Sequence, residues 1–207
     1  MTRRACLALG LLTLALVWLG PLPRLAPRSF SAHMTMHMGV VAVAAPLLAL
    51  GIGGRRDLSR LRGVFGPIPA SVLELVVVWA WHAPALHLAA RHSPAGLVAE
   101  QGMFLGSALL VWTAACGGDA ARDRDRAGAG VVALLLTSMH MTLLGALLAL
   151  SPRPLYAHAG GAALDEQHLG GAIMLLAGGV SYLAGGLGLS AVLLRGREAA
   201  ARRPGLP

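Results

Sequence analysis

The sequence predicts an all-α, polytopic membrane helix bundle of six transmembrane helices, or five if the first is a cleaved signal. Of 207 residues, 56% are apolar and only 13% charged, about half the charged share of a soluble domain. The apolar residues fall into six runs, several of them near the roughly 20 residues that a helix needs to cross hydrocarbon. Glycine is abundant and phenylalanine scarce, at 27 against 3, and small residues let membrane helices approach closely. A water-soluble globule is excluded. The formal charge of +8 comes from Arg alone, with no Lys, and it sits in short loops, where it faces lipid headgroups rather than nucleic acid. Cys6 and Cys116 lie far apart and in no C-x-x-C spacing, so neither a disulfide framework nor a thiolate metal site is readable.

The runs cover residues 6–19, 34–52, 68–90, 97–116, 127–150 and 169–194. The first follows Arg3 and Arg4 and fits either a signal peptide or an anchor. Arg24 or Phe30 occupies the minus-three place of the available cleavage sites, which favours a retained anchor. The domains are then an anchor or signal-like helix at 1–26, a bundle at 27–196 and a cytoplasmic tail at 197–207. Alternate connections carry 13 Arg against 4, which assigns both termini to the cytoplasmic side. Trp18, Trp79, Trp81 and Tyr156 then fall near the outer interface and Trp112 near the inner one, as belt residues. In the third run Pro84 removes a backbone donor and predicts a kink. In the sixth, Gly171, Gly178 and Gly185 recur every seven residues as a packing face. The 117–126 loop reads as a solvated inner turn.

All eight histidines fall on the outer side of this topology. His33 and His37 are four apart and share a helix face, so both can reach one ion. His82 lies at the outer end of the third run and His140 in the outer half of the fifth. Met34 and Met38 form a second pair at the same spacing, and Met139 and Met141 flank His140. Imidazole with thioether suits Cu(I) and is poorly matched to Mg or Ca. Ionisable groups inside membrane segments are costly and tend to face a functional interior. His87, His92 and His158 read as ordinary helix-end or headgroup residues. Glu100, Asp165 and Glu166 stand near helix N-termini, where acids are stabilised, and could also accept the spare N–H of a ligand imidazole. Glu74 lies inside the third run near its inner end and pairs with a loop Arg or lines a proton path. No nucleophile elbow, phosphate-binding Gly loop or His-Glu-x-x-His is present, so nothing recommends an enzyme.

Taken in order, Ser31-Ala32-His33-Met34-Thr35-Met36-His37-Met38, Trp81-His82-Ala83-Pro84, Glu100-Gln101-Gly102-Met103-Phe104, Met139-His140-Met141, Pro154-Leu155-Tyr156 and the segment from Asp165-Glu166-Gln167-His168 to Met174 resemble the CtaG-like family of cytochrome c oxidase assembly proteins. The resemblance covers about 30–194. It implies a bacterial inner-membrane protein that assembles haem-copper oxidase, with copper delivery as its role. Its histidines map to His33, His37, His82 and His140, and its aspartate and glutamine before the last helix to Asp165 and Gln167. Two positions depart from the pattern: His87 stands where many members have Tyr, and Gln101 where many have His.

The expectation is therefore a non-enzymatic factor that holds Cu(I) near the outer membrane surface and passes it to the oxidase. His33, His37, His82 and His140 would be ligands, Met34, Met38, Met139 and Met141 exchange ligands, and Asp165, Gln167, Glu100 and His168 supporting groups. The partners would be membrane lipid, an oxidase subunit and a periplasmic copper donor, with no nucleic acid. Oligomeric state stays open, a homo-oligomer included. A bis-His haem b or quinone protein, a metal exporter and a metal-free scaffold are the competing readings. The exporter is disfavoured because Glu74 is the one obvious polar residue in the inner half of the membrane.

Overall fold

The computed structural model describes residues 2–53, 66–117, 124–156 and 163–201, with side chains to 196. His158, the Arg-rich connection after the second run and residues 118–123 of the charged turn lie outside the described residues. The described chain is helical and contains no strand. Among the described residues five helices are long and apolar enough to span a bilayer, and a bent helix pair is the candidate for a sixth. Leu19, Val98 and Leu150 are 71–85% exposed. In water such a surface would be an aggregation site, whereas in lipid it is the outer wall. The chain is a multi-pass membrane bundle.

Helix α1 (Arg3–Leu19) opens on Thr2, whose hydroxyl accepts the Ala5 amide at 3.3 Å. A single turn, α2 (Leu22–Leu25), leads to Ser29, whose hydroxyl accepts the Ala32 amide at 3.1 Å and starts α3 (Phe30–Met38). α3 passes through a widened π-helical turn, Gly39–Ala44, into α4 (Ala45–Ile52). The cause is Pro46, which has no N–H for the Ala42 carbonyl four residues back. The Ala45 amide reaches Val40 instead. The Ser181 hydroxyl donates to the Ala42 carbonyl at 2.7 Å and the Tyr182 hydroxyl to the Val41 carbonyl at 3.4 Å. α1 packs on this span through glycines: an added Cβ would lie 2.8 Å from Leu48 at Gly10 and 2.5 Å from Leu7 at Gly51.

The third run is a broken span. α5 (Pro67–His82) ends at Ala83, and α6 (Pro84–Arg91) leaves at 71°. Ala83 is extended, with φ −64° and ψ 131°, the conformation favoured before proline. Sixteen residues rise about 24 Å, short of the roughly 30 Å hydrocarbon core, so α6 turns across the end of the bundle. α7 (Pro94–Cys116) starts from Ser93, whose hydroxyl accepts the Gly96 amide at 2.9 Å. α8 (Arg124–Ala149) and α9 (Ala163–Ala201) follow, and the apolar part of α9 ends at Gly196.

The glycines of α9 form a packing face. A Cβ at Gly171 would lie 2.4 Å from the Ala149 backbone nitrogen, and one at Gly145 would lie 2.6 Å from that of Leu175. Gly178 meets Met141 and Met38, and Gly185 meets the Trp112 ring. The belt assignment is corrected for three residues: Trp81, Trp112 and Tyr156 are buried. Each has a use inside the bundle: the Trp81 indole N–H donates to Met103 Sδ at 3.3 Å, Trp112 packs against the Tyr182 ring at 5.1 Å, and Tyr156 closes the histidine end.

Gly171→Ala places its methyl group against backbone that cannot move aside. It is expected to destabilise the bundle by about 1–3 kcal/mol, the usual cost of overpacking. Gly106→Ala, with open space around the added methyl, should leave the thermal midpoint in detergent unchanged.

Candidate functional site: a buried histidine centre

α3 is buried on almost every side: α9 packs along it, and rings of α5, α6 and α7 meet its histidines. Its i, i+4 spacing stacks the His33 and His37 rings 6.4 Å apart and nearly parallel, at 8°. The last residue of α5 brings the His82 ring to 5.1 Å from His37 and 5.8 Å from His33. α6, turned inward by the break at Pro84, brings His87 to 4.8 Å from His33, edge to face. On α8, His140 interacts electrostatically with His37. All five imidazoles are at most 4% exposed.

The ring nitrogens are where polarity is left over. His82 Nδ1 sits 2.6 Å from the Val78 carbonyl. A carbonyl only accepts, so Nδ1 carries the proton and Nε2 presents its lone pair. That nitrogen has no hydrogen-bond partner among the described residues, nor has either nitrogen of His33, His37 or His140. Unpaired polar groups in hydrocarbon each cost several kcal/mol. His33, His37 and His82 thus face one another with ring nitrogens that bond nothing else among the described residues, and His140 stands beside His37. Phe104, 4.0 Å from His37, and Phe30 wall the site.

Glu100 on α7 is fully buried, with Oε2 3.7 Å from His33 Nδ1. The same carboxylate is paired with Arg91 of α6 and accepts from Gln101 Nε2 at 3.3 Å. Removing one member of such a buried pair costs about 3–5 kcal/mol, because the other charge is left uncompensated.

The segment 151–156 closes the centre from the end of the bundle. The Tyr156 hydroxyl donates to the His82 carbonyl at 2.6 Å, an acceptor orphaned where α5 stops. Its ring stacks on Phe30 at 4.4 Å and meets the tilted His87 ring at 4.5 Å. Burial pushes the Tyr156 phenol above its ordinary value, so it remains a donor. Gln167 holds this lid: its Oε1 accepts the Leu155 amide at 2.6 Å, and its Nε2 donates to the Leu148 and Arg153 carbonyls, both at 3.3 Å. His168 Nε2 lies 2.9 Å from the Ser151 carbonyl. Glu166 accepts from Ser29 Oγ at 2.6 Å and from the Ser31 hydroxyl and amide at 2.8 and 3.2 Å, tying α9 to the start of α3.

His33, His37, His82 and His140 are thus brought together, with Glu100 beside them. Gln167 and His168 support the lid and do not bond a ring of the centre, and Asp165 is exposed. Among the methionines, Met34 and Met38 turn toward Gly170 and Gly178 of α9, Met141 joins them there, and Met139 is 61% exposed on the outer wall. His87, read from sequence as an ordinary helix-end residue, belongs to the centre. The signal that could have found it is Pro84, three residues earlier, which turns α6 inward. A second polar group also escaped sequence reading. The Tyr182 hydroxyl is hydrogen-bonded to Glu74, and Ser71 and Thr137 meet at 2.9 Å, all buried. Glu74 is therefore not the one polar residue in that half of the bundle.

Fold and site together define a multi-pass membrane protein built around a buried polyhistidine centre. Residues 1–195 match the family described as cytochrome c oxidase caa3 assembly factor, CtaG, and the chain belongs to that family. Comparison with curated proteins and with solved structures finds no significant match.

Gln167→Leu removes two hydrogen bonds to the lid and one to the end of α8 while keeping the side-chain volume. At about 1 kcal/mol net for each bond, hydrogen exchange at the Leu155 amide is expected to accelerate at least tenfold, with the helices unchanged by circular dichroism.

Proposed function

We propose that this assembly factor binds Cu(I) in the histidine centre and passes it to the haem-copper oxidase. The observation that carries the reading is the set of buried imidazole nitrogens without hydrogen-bond partners on α3, α5 and α8. Soft-to-borderline nitrogen donors in a dry, aromatic-walled volume favour a monovalent soft ion, whose charge is the least costly to bury. His33 and His37 are the primary ligands, and His82 and His140 close the site. Met38, Met34 and Met141, on the α9 side, are available for exchange as the ion moves, whereas Met139 faces away. The lid over His82 and His87 is the route by which a periplasmic donor and an oxidase subunit reach the ion. The Arg distribution orients this end outward, with both termini cytoplasmic in the bacterial inner membrane. The factor carries its cargo without catalysing a reaction. Aromatic rings packed directly on the imidazoles support a single ion here over a porphyrin plane.

His37→Ala is expected to leave the bundle folded, because the site is walled by other rings. It should reduce Cu(I) bound to detergent-purified protein at least tenfold and lower the copper content of the oxidase in the host strain. A copper-loaded oxidase in that strain, or a Soret band in the purified wild-type protein, would overturn the reading.

A further inference from the structure

We infer that His33, His87 and Glu100 form a second metal site, for a borderline divalent cation, which Arg91 keeps closed by holding the Glu100 carboxylate. The inference rests on the reading of this pocket as a metal-handling one, and it assigns a different ion to the pocket's outer edge, where His33, shared with the Cu(I) core, turns Nδ1 toward Glu100.

Three observations carry it. One ligand atom from each of the three residues lies within 4.8 Å of the others, and all three residues are buried. A carboxylate oxygen with two imidazoles is harder than the all-imidazole core behind it, and it suits Cu(II) or Zn(II) better than Cu(I). Glu100 also has capacity to spare, since its Oε1 is buried without a hydrogen-bond partner among the described residues.

Arg91 has the properties of a removable plug. Its guanidinium pairs with Glu100 through Nη2, while Nε and Nη1 have no hydrogen-bond partner among the described residues. Among the described residues the carboxylate is thus the one anchor of that side chain. Arg91 also lines a cavity of about 530 Å³ that reaches His87 and Tyr156 and is flanked by Arg28 and Pro84. A divalent ion arriving through this cavity can replace the guanidinium as counter-charge to Glu100, and the freed Arg91 has room to turn into the cavity. A buried carboxylate is then never left without a positive partner, which is the condition for such a swap in a low-dielectric site.

The test is titration of the full-length, detergent-purified protein with Cu(II) and separately with Zn(II), with electron paramagnetic resonance of the Cu(II) form. Cu(I) binding is measured in parallel. The wild type is expected to bind one Cu(II) with two nitrogen couplings, and Zn(II) should compete with it. His87→Phe keeps a ring against Tyr156 and Phe30, and Glu100→Gln keeps the side-chain shape. Each is expected to weaken Cu(II) at least tenfold and to leave Cu(I) in place. Arg91→Gln should tighten Cu(II) at least threefold, and His37→Ala should lose Cu(I) while keeping Cu(II). Unchanged Cu(II) affinity in both His87→Phe and Glu100→Gln overturns the inference, as does loss of the Cu(II) signal in His37→Ala. A wild type that takes Cu(I) but neither divalent ion overturns this site alone; one that takes Cu(II) but no Cu(I) overturns the copper-core reading and leaves this site standing.

Discussion

The bundle is organised by the absence of water around it. Hydrocarbon offers no hydrogen bond to a backbone group or a side chain, so every polar atom buried here must find its partner within the chain or go without. Most find one. The Tyr156 hydroxyl takes the His82 carbonyl, Ser181 takes the Ala42 carbonyl, Gln167 takes two lid groups and the Leu148 carbonyl, and Arg91 takes Glu100. Against that background the ring nitrogens of His33, His37 and His140 stand out as capacity withheld from the scaffold.

The same constraint explains why the helices break where they do. Proline is tolerated in a membrane helix when neighbours satisfy the carbonyl it abandons. Pro84 ends α5 just after His82 and sends α6 across the bundle, which is how His87 and Arg91 reach the centre. Pro46 widens α3–α4 one turn below His37, and α9 supplies the hydroxyls that repair it. Both irregularities flank the histidines, in keeping with the frequent occurrence of π turns at functional sites.

Much of this was legible in the residues. Apolar runs gave the number of spans, Pro84 gave the break, and the four-residue spacing of His33 and His37 put two rings on one face. Six short motifs in order gave the family. What remained hidden depends on distance through space. His87 looks like a helix-end residue until the 71° bend turns it inward. Arg91 looks like a solvated charge until Glu100 is found beside it. Gln167 reads as support for a ligand, whereas it holds a loop. Adjacency in sequence puts a side chain about 100° around the helix, so Met34 and Met38 look toward α9 while His33 and His37 look toward α5 and α6. Ser71, Thr137 and Tyr182 are each a single polar residue in an apolar run and join Glu74 only once three helices are packed.

The widened turn at Gly39–Ala44 has a bearing on how one helix serves two neighbourhoods. A π turn carries about one residue more than an α turn, which advances the helical phase by about 100°. Above it, α3 presents histidines to the α5–α6 break; below it, α4 presents Leu48 and Gly51 to the glycine and leucine of α1. In an uninterrupted helix these two faces would be out of step, and seating one would rotate the other away from its partner. The turn works as a coupling with a fixed angular offset, so the span can be gripped by α1 in one half of the bundle while its histidines stay aimed at the centre in the other.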